Sequence, residues 1–392
     1  MFRQMVRSIG STIATSTKAR GEAQHVTVPV VGQRILALDG LRGAAILSVG
    51  AFHLAQSIRY EFGYENSPIL RAIVFGWTGV ELFFVLSGFL ITGVLYDSKQ
   101  SQHYFRNFYM RRVLRLFPLY YGTLVIISVL RVVWPDAGVY GTESWTWLWL
   151  YLTNVVMALK GFGAVGLADH FWWVAVEQHF YLVWPLAVFL LNRRRLLHLS
   201  VAVFLVSAGV RLALVLGGVN PEAIYVLTPV RLDALSVGAF LALLVRRPER
   251  FGSSAKPAWV VACLSGLAIV AIVVVRHTVY HLEPVMQTLG YPLLAVFFGA
   301  LLVLGVVSPL RRLFNLGVLR WFGKYSYGIY LWHPIVFMLV LHTDLARSIR
   351  GGSGTVEMLV SITLALGVVL AITLLSWRFW ESQFLKLQRY FR

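Results

Sequence analysis

The sequence has few of the residues on which soluble and secreted proteins depend. Only 13% of its 392 residues are charged, and it contains a single cysteine, Cys263. One thiol excludes an intrachain disulfide framework and a cysteine-based metal site. Acidic residues are also scarce, with 17 Asp and Glu against 35 Lys and Arg. Apolar residues make up 58% of the chain, and the mean hydropathy of +0.71 is typical of an integral membrane protein.

Long apolar runs account for this composition. Crossing a hydrocarbon layer of about 30 Å takes roughly 20 apolar residues in a helix. The sequence therefore predicts an all-α polytopic membrane protein with about ten transmembrane helices, at about 35–58, 73–96, 114–134, 170–191, 196–217, 223–245, 258–276, 286–307, 321–342 and 356–378. A further apolar segment near 145–160 is too short for a span and rich in Trp, which favours the membrane interface. We predict that it is a re-entrant or interfacial segment on the outer face.

The distribution of positive charge predicts the orientation of the chain. With the N-terminus inside, the inner segments hold 25 Lys and Arg residues and the outer segments hold 6. Positive residues concentrate in cytoplasmic loops, so both termini are expected to be cytoplasmic. Most of the net charge of +18 lies in these loops, where it would contact the anionic headgroups of membrane lipids. The charge therefore requires no nucleic-acid partner.

The domain organisation is predicted to be a single helical membrane domain with two tails. Residues 1–33 are polar and basic and lack the apolar core of a signal peptide, so we expect a poorly ordered cytoplasmic tail. Residues 34–381 form the membrane domain, and residues 382–392 form a basic cytoplasmic tail. No oligomeric state follows from the sequence.

Three ionisable residues within predicted spans lie at similar depth, and two of them, His53 and Glu177, are candidates for catalysis. Such residues are costly in a membrane and are functional candidates by default. Counting along the spans at 1.5 Å per residue places His53, Glu81 and Glu177 in the outer half of the membrane. A histidine is suited to act as a general base near neutral pH, and a nearby carboxylate would orient it. The alternative for His53 is a packing residue bonded to a backbone carbonyl.

Four residues have second rank as a candidate polar channel: Glu81, Arg231, Asp233 and His333. For Glu81, Arg231 and Asp233 a structural role is slightly favoured, in which Glu81 pairs with an arginine and Arg231 pairs with Asp233. His333 precedes Pro334, where a role in helix geometry and a functional role are both open.

Arginines at the inner ends of the spans form a second group. Arg112 and Arg115 lie one helical turn apart at the foot of the third predicted span, and Arg42 lies near the cytoplasmic end of the first. Guanidinium groups bind phosphate through paired N–H donors, so this group could hold an anionic cofactor. On spacing alone, the alternative of ordinary positive-inside residues is favoured for Arg112 and Arg115.

Several segments in chain order resemble the motifs of the acyltransferase-3 family of bacterial membrane O-acetyltransferases. These segments are LDGLRGAAILSVGAFH, GVELFFVLSGFLI, RRVLRLFPLYY, FWWVAVEQHFYLVWP, VRLDALSVGAFLA, YSYGIYLWHPIV and SWRFWE. Arg42 and His53 form an Arg-x10-His pair in the first span, and Arg112 and Arg115 form an Arg-x2-Arg pair. The resemblance covers about residues 34–381.

The resemblance implies a membrane O-acetyltransferase of the bacterial inner membrane. In such a protein an acyl group, usually acetyl from cytoplasmic acetyl-coenzyme A, passes to a hydroxyl of a glycan or other acceptor outside. The resemblance implies His53 as catalytic base, Arg112 and Arg115 as coenzyme A ligands, and Glu177 as support for the acceptor end. Arg42 is assigned to both the catalytic and the cofactor-binding group. No metal is expected.

One motif departs from the family pattern, and one alternative function is open. Around Glu177 the family commonly reads WSLAVEEQFY, whereas here Trp173 replaces the Ser, Gln178 a Glu and His179 the Gln. This change leaves the contacts to the acceptor open. The alternative is a transporter or flippase of a glycan or lipid-linked substrate, which would share the spans and buried charges. A transporter would also show inverted repeats or helices broken by Gly and Pro in matching halves, and the sequence shows neither.

Overall fold

Every regular element in the described part of the chain is a helix. The computed structural model describes residues 35–64, 67–135, 141, 143, 145–246, 254–342 and 354–391. The predicted tail at 1–33 lies outside these residues. The longer helices are α1 (Leu36–Glu61), α2 (Gly79–Asp97), α3 (Tyr104–Val133), α4 (Trp172–Leu190), α5 (Arg193–Leu216), α6 (Leu232–Val245), α7 (Ala255–Arg276), α8 (Tyr291–Val307), α9 (Gly317–Phe337) and α10 (Thr355–Ser376).

Seven helical stretches are long and apolar enough to cross a membrane, within the ranges that the structure describes. Four of them extend beyond a single helix: the stretches that contain α2, α4 and α8 begin at Pro68, Gly166 and Met286, and the one that contains α10 continues to Tyr390. Helix α6 is apolar but has only 14 residues, and α1 and α9 do not reach the same apolar composition. The structure supports a multi-pass membrane protein with seven candidate spans, which is fewer than the sequence predicted.

Helices α1 and α9 pack against each other at unusually short range. A Cβ atom on Gly43 would lie 1.9 Å from the carbonyl oxygen of Leu319, and one on Gly323 would lie 1.7 Å from that of Asp39. Only residues without a Cβ allow two helix backbones to approach this closely. This contact brings His53 of α1 beside His333 of α9.

Helices α2 and α6 cross in the same way. A Cβ on Gly88 would lie 1.9 Å from the carbonyl oxygen of Leu235, and one on Gly238 would lie 2.0 Å from that of Val85. The crossing holds the start of α6 close to Glu81 on α2, which forms a buried ion pair with Arg231. The two glycine contacts therefore place polar groups of neighbouring helices within bonding distance.

The segment near 145–160 forms two short helices, Thr146–Trp149 and Thr153–Lys160. The longer one has eight residues and covers about 12 Å, which is too short to cross a bilayer. The Tyr120 hydroxyl donates a hydrogen bond of 2.7 Å to the Leu148 carbonyl, and the Asn154 amide donates one of 2.9 Å to Thr228. The segment thus packs on the bundle, and its place as a re-entrant or interfacial segment on the outer face stays a prediction.

The C-terminal residues continue helix α10 and turn onto helix α3. The Trp380 indole donates to the Pro118 carbonyl at 2.9 Å, and the Gln388 amide donates to the Arg111 carbonyl at 2.9 Å. Up to Tyr390 the predicted basic tail is therefore helical and anchored near the arginines of α3. This position makes it part of a cavity wall.

Candidate active site

Three neighbouring cavities lie in a row between the arginines of α3 and His53. The arginine cavity, of about 170 Å³, shares Arg112 and Arg115 with a central cavity of about 50 Å³. The central cavity shares Tyr330 with the histidine cavity, of about 310 Å³, which is lined by His53. The shared residues show that the cavities adjoin one another in this order.

The arginine cavity is suited to an anion. Arg111, Arg112 and Arg115 project into it from α3, and Gln388 and Phe391 of the C-terminal segment form part of its wall. The buried Nε of Arg112 has no hydrogen-bond partner among the residues that the structure describes. An unpaired buried donor on a charged group costs free energy, which a bound anion would recover. The predicted anion site is consistent with this geometry.

The central cavity brings together residues that the sequence assigned to two different groups. Arg42, Arg112, Arg115 and Glu177 all line it, and Glu177 accepts a hydrogen bond from the Ser87 hydroxyl. The structure thus places Glu177 with the arginines, and not beside His53 as the depth count had suggested. Counting residues along a span measures depth only. The direction in which a side chain points around the helix axis decides which cavity it enters.

The hydrogen bonds of His333 determine the tautomer of His53. The Nδ1 atom of His333 lies 2.8 Å from the Ile329 carbonyl oxygen, which can only accept, so His333 carries its proton on Nδ1. Its Nε2 atom is then an acceptor, and it lies 3.2 Å from Nδ1 of His53. By this assignment His53 donates from Nδ1, which leaves its Nε2 unprotonated. A bare imidazole nitrogen in a cavity can act as a base. The partner that orients His53 is thus a histidine and not a carboxylate.

Two further histidines line the histidine cavity, and sequence reasoning missed both. His170 lies in the 3-10 turn before α4 and donates from Nε2 to the Leu331 carbonyl at 3.1 Å. His281 lies in the loop between α7 and α8. Both stand near the ends of predicted spans, where a histidine carries no distinctive sequence signal. Within the described ranges, no group of three or more His, Cys, Asp or Glu side chains could hold a metal ion.

The second-rank charged residues form two buried ion pairs. Glu81 pairs with Arg231, which confirms its predicted arginine partner. Asp233 pairs with Arg211 of α5, so the predicted pair of Arg231 with Asp233 is wrong. Arg211 lies inside the predicted span at 196–217, where a charged residue is itself a signal. A charge within a span does not show which residue of another helix it pairs with. Glu81, Arg231 and Asp233 do not line the three cavities, whereas His333 acts on the site through His53.

Comparison with known proteins gives a consistent set of relatives. A family model described as an acyltransferase domain matches residues 35–380. The chain is 31% identical over 323 residues to YrhL of Bacillus subtilis, provisionally named a peptidoglycan O-acetyltransferase, which covers 77% of this chain and 48% of that protein. It is 29% identical over 323 residues to the peptidoglycan O-acetyltransferase OatA of Listeria monocytogenes, covering 76% of this chain and 49% of that protein. The chain therefore spans about half the length of these relatives. No match to a solved structure was found.

Proposed function

Because the chain belongs to the acyltransferase-3 family, we propose that it is a membrane O-acetyltransferase that uses cytoplasmic acetyl-coenzyme A to acetylate a hydroxyl of an extracytoplasmic glycan. The observation that carries this proposal is the hydrogen bond between His333 and Nδ1 of His53, which leaves Nε2 of His53 as the free nitrogen. His53 lines a cavity that shares Tyr330 with the cavity lined by Arg112 and Arg115. The names of the relatives, peptidoglycan O-acetyltransferases, support a carbohydrate acceptor.

The donor would enter through the arginine cavity. Arg112 and Arg115 line both this cavity and the central one, so they would hold phosphate groups of coenzyme A at the boundary between them. The central cavity, at about 50 Å³, is too small for a nucleotide and would have to widen to take the thin pantetheine arm. Arg42 and Glu177 line this narrow part, which supports a role for both residues along the donor path.

The transfer would take place beside Tyr330, where the central and histidine cavities adjoin. His53 Nε2 removes the proton from the acceptor hydroxyl while the hydroxyl oxygen attacks the thioester carbonyl. The new C–O bond forms, the C–S bond breaks, and the leaving thiolate takes the proton from His53. During this step the Nδ1–H of His53 stays bonded to His333, which stabilises the imidazolium. General-base assistance of this kind contributes roughly 10²–10⁴-fold.

The test is to replace His53 with alanine in the full-length, detergent-purified protein. Transfer of acetyl from acetyl-coenzyme A to a glycan acceptor should fall at least about 100-fold, because the base is lost. Coenzyme A affinity, measured by calorimetry, should stay unchanged, because the arginines lie in other cavities. The control is His198→Ala, at an exposed position on α5.

Two results would contradict the proposal. If His53→Ala keeps more than a tenth of the wild-type turnover, the base is elsewhere. If the wild-type protein neither transfers nor hydrolyses the acetyl group of acetyl-coenzyme A, a transporter or flippase becomes the better explanation, since neither uses this thioester.

The proposed membrane topology has more spans than the seven candidates. We propose about ten spans in the bacterial inner membrane, with α1, α6 and α9 added and both termini in the cytoplasm. The charge asymmetry of the loops supports the orientation. The close packing of α1 against α9, and of α6 against α2, supports the added spans, because helices shielded from lipid can carry polar residues.

A further inference from the structure

The histidine cavity contains a buried polar group that the proposed reaction does not use. His281 is only 5% exposed, and its Nδ1 atom has no hydrogen-bond partner among the described residues. A buried ring nitrogen without a partner is destabilising, and such atoms are rare in folded proteins. The side chain of His281 also lines the wall of the histidine cavity.

The backbone around His281 is anchored from two other elements. The Trp77 indole donates to the Val279 carbonyl at 2.9 Å, and the Tyr291 hydroxyl donates to the His281 carbonyl at 2.7 Å. These bonds attach the loop between α7 and α8 to the start of α2 and to α8. The imidazole itself packs against the rings of Trp77 and Tyr225, at centroid distances of 6.0 and 4.6 Å. Backbone and ring are therefore both held in place before any ligand arrives, as expected of a recognition site.

Aromatic side chains form most of the remaining wall. The cavity is lined by Phe52, Tyr60, Trp77, Phe162, Trp172, Tyr225, Tyr280 and Tyr330. Aromatic rings offer apolar faces to a ligand, while a few polar groups set its orientation. The C–H faces of a sugar ring match such walls. The volume of about 310 Å³ is at the lower end for small-molecule pockets, which suits one ring with the rest of a glycan outside.

The polar groups next to His281 are neutral or already bonded. Burial and the positive charge of Arg231 lower the pKa of His281 to about 3, so its ring is uncharged at neutral pH. Arg231 itself is paired with Glu81. The Asp169 carboxylate accepts hydrogen bonds from the backbone N–H groups of Gly163 and Val165. This environment suits hydroxyl and amide substituents better than a carboxylate or phosphate.

We infer that the histidine cavity is the acceptor subsite for a single uncharged sugar ring, and that the ring nitrogens of His281 recognise a hydroxyl or amide substituent on it. The inference rests on the proposed function for the reaction that follows binding. The substrate class is an uncharged sugar, and His281 determines the specificity for that sugar. Because His53 lines the same cavity, a sugar bound there would have its hydroxyl groups close to the base.

The test measures sugar binding without the donor. Chitotetraose, an uncharged tetramer of N-acetylglucosamine, is titrated into the full-length, detergent-purified protein, and its dissociation constant is measured by calorimetry. His281→Phe removes both nitrogens and should weaken binding about tenfold or more, because the sugar group is left unpaired. His281→Gln again offers a donor and an acceptor and should recover most of this loss. The matched control His198→Phe, at an exposed position on α5, should bind as the wild type does.

The outcomes separate this inference from the proposed function. Equal affinities of the wild type and His281→Phe, or no binding by the wild type, would overturn the subsite. If His281→Phe does not fold, His281→Ala removes the same nitrogens and its affinity decides the question in the same way. Binding that depends on His281, in a protein that transfers no acetyl group, would support the subsite and refute the proposed reaction.

Discussion

The contact between His53 and His333 decides which nitrogen of the base is free. The Ile329 carbonyl holds the proton of His333 on Nδ1, and this in turn holds the proton of His53 on Nδ1. Without the acceptor at His333, the imidazole of His53 could rotate or change its tautomer. His333 is therefore a positioning residue, which acts on the reaction through His53.

Two substitutions of His333 test this positioning role. In His333→Phe the acceptor is lost, and kcat for acetyl transfer should fall on the order of tenfold or more with little change in the KM for the acceptor. In His333→Gln the side-chain oxygen can accept the proton of His53, so most of the activity should be retained. Steady-state kinetics of both variants give the comparison. Equal kcat values for the two would show that the acceptor at this position does not matter.

Conservative changes at Arg112 and Arg115 test the donor site. Lysine preserves the positive charge but lacks the paired N–H donors of arginine. Loss of such charge-assisted bonds, at roughly 1.5–3 kcal/mol each, should weaken coenzyme A binding about tenfold or more. Calorimetry on each variant gives the dissociation constant. Arg194→Lys, on an exposed side chain of α5, is the control and should bind normally. Unchanged affinity in Arg112→Lys and Arg115→Lys would remove both residues from the donor site.

At the scale of elements, the glycine contact between α1 and α9 holds the site together. A methyl group on Gly43 would stand 1.9 Å from the Leu319 carbonyl oxygen. Because this oxygen belongs to the backbone, no rotation of a side chain can relieve the clash, and the two helices would have to separate. Residues of the two helices beyond this contact, His53 and His333, would then move apart. The stability of the bundle and the geometry of the base are linked through this one position.

Alanine at Gly43 should therefore lower both stability and activity. Overpacking of this kind typically costs about 1–3 kcal/mol, so the thermal midpoint in detergent should drop by several degrees, as expected from that loss of free energy. Gly50→Ala, on the same helix but with nothing within 4 Å of the new methyl group, is the matched control. It should be neutral or slightly stabilising, because alanine favours the helix. Equal midpoints for the two variants would contradict the close contact.

At the scale of the whole molecule, the three cavities would link the two sides of the membrane. This requires the arginine cavity to face the cytoplasm and the histidine cavity to face outward, which follows from the orientation that the loop charges predict. The same bundle would then receive its donor from one side of the membrane and its acceptor from the other, without an open passage across the whole membrane.

Reporter fusions test this topology. Fusions near Gln102, Arg194 and Arg312 should report the cytoplasm, because these loops carry the predicted inner charges. Fusions near Asp136 and Gly352 should report the outer side. A cytoplasmic signal at Gly352 would rule out ten spans with both termini inside, and would make the segment near 145–160 a span after all.

Much of the architecture could be predicted from the sequence, because helix formation and membrane insertion depend on local composition. Each predicted span overlaps a helix of the described chain, but only seven helical stretches meet the length and composition of a span. The predicted span 223–245 is divided between the short helix Pro221–Val226 and α6. That Arg112 and Arg115 lie on the same face of α3 was also predictable, since residues three apart share one helix face. The family followed from motifs that lie within single spans.

What the sequence determined by itself was the helical membrane class, the family, and His53, Arg112 and Arg115 as candidate site residues. The tertiary structure alone decided which side chains meet. It paired Asp233 with Arg211, set Glu177 among the arginines, and oriented His53 by His333 across 280 residues of chain. It also brought His281 from a loop into the histidine cavity. Local composition encodes the depth and face of a side chain within one helix, but contacts between helices depend on how the backbones cross, and here glycines set those crossings.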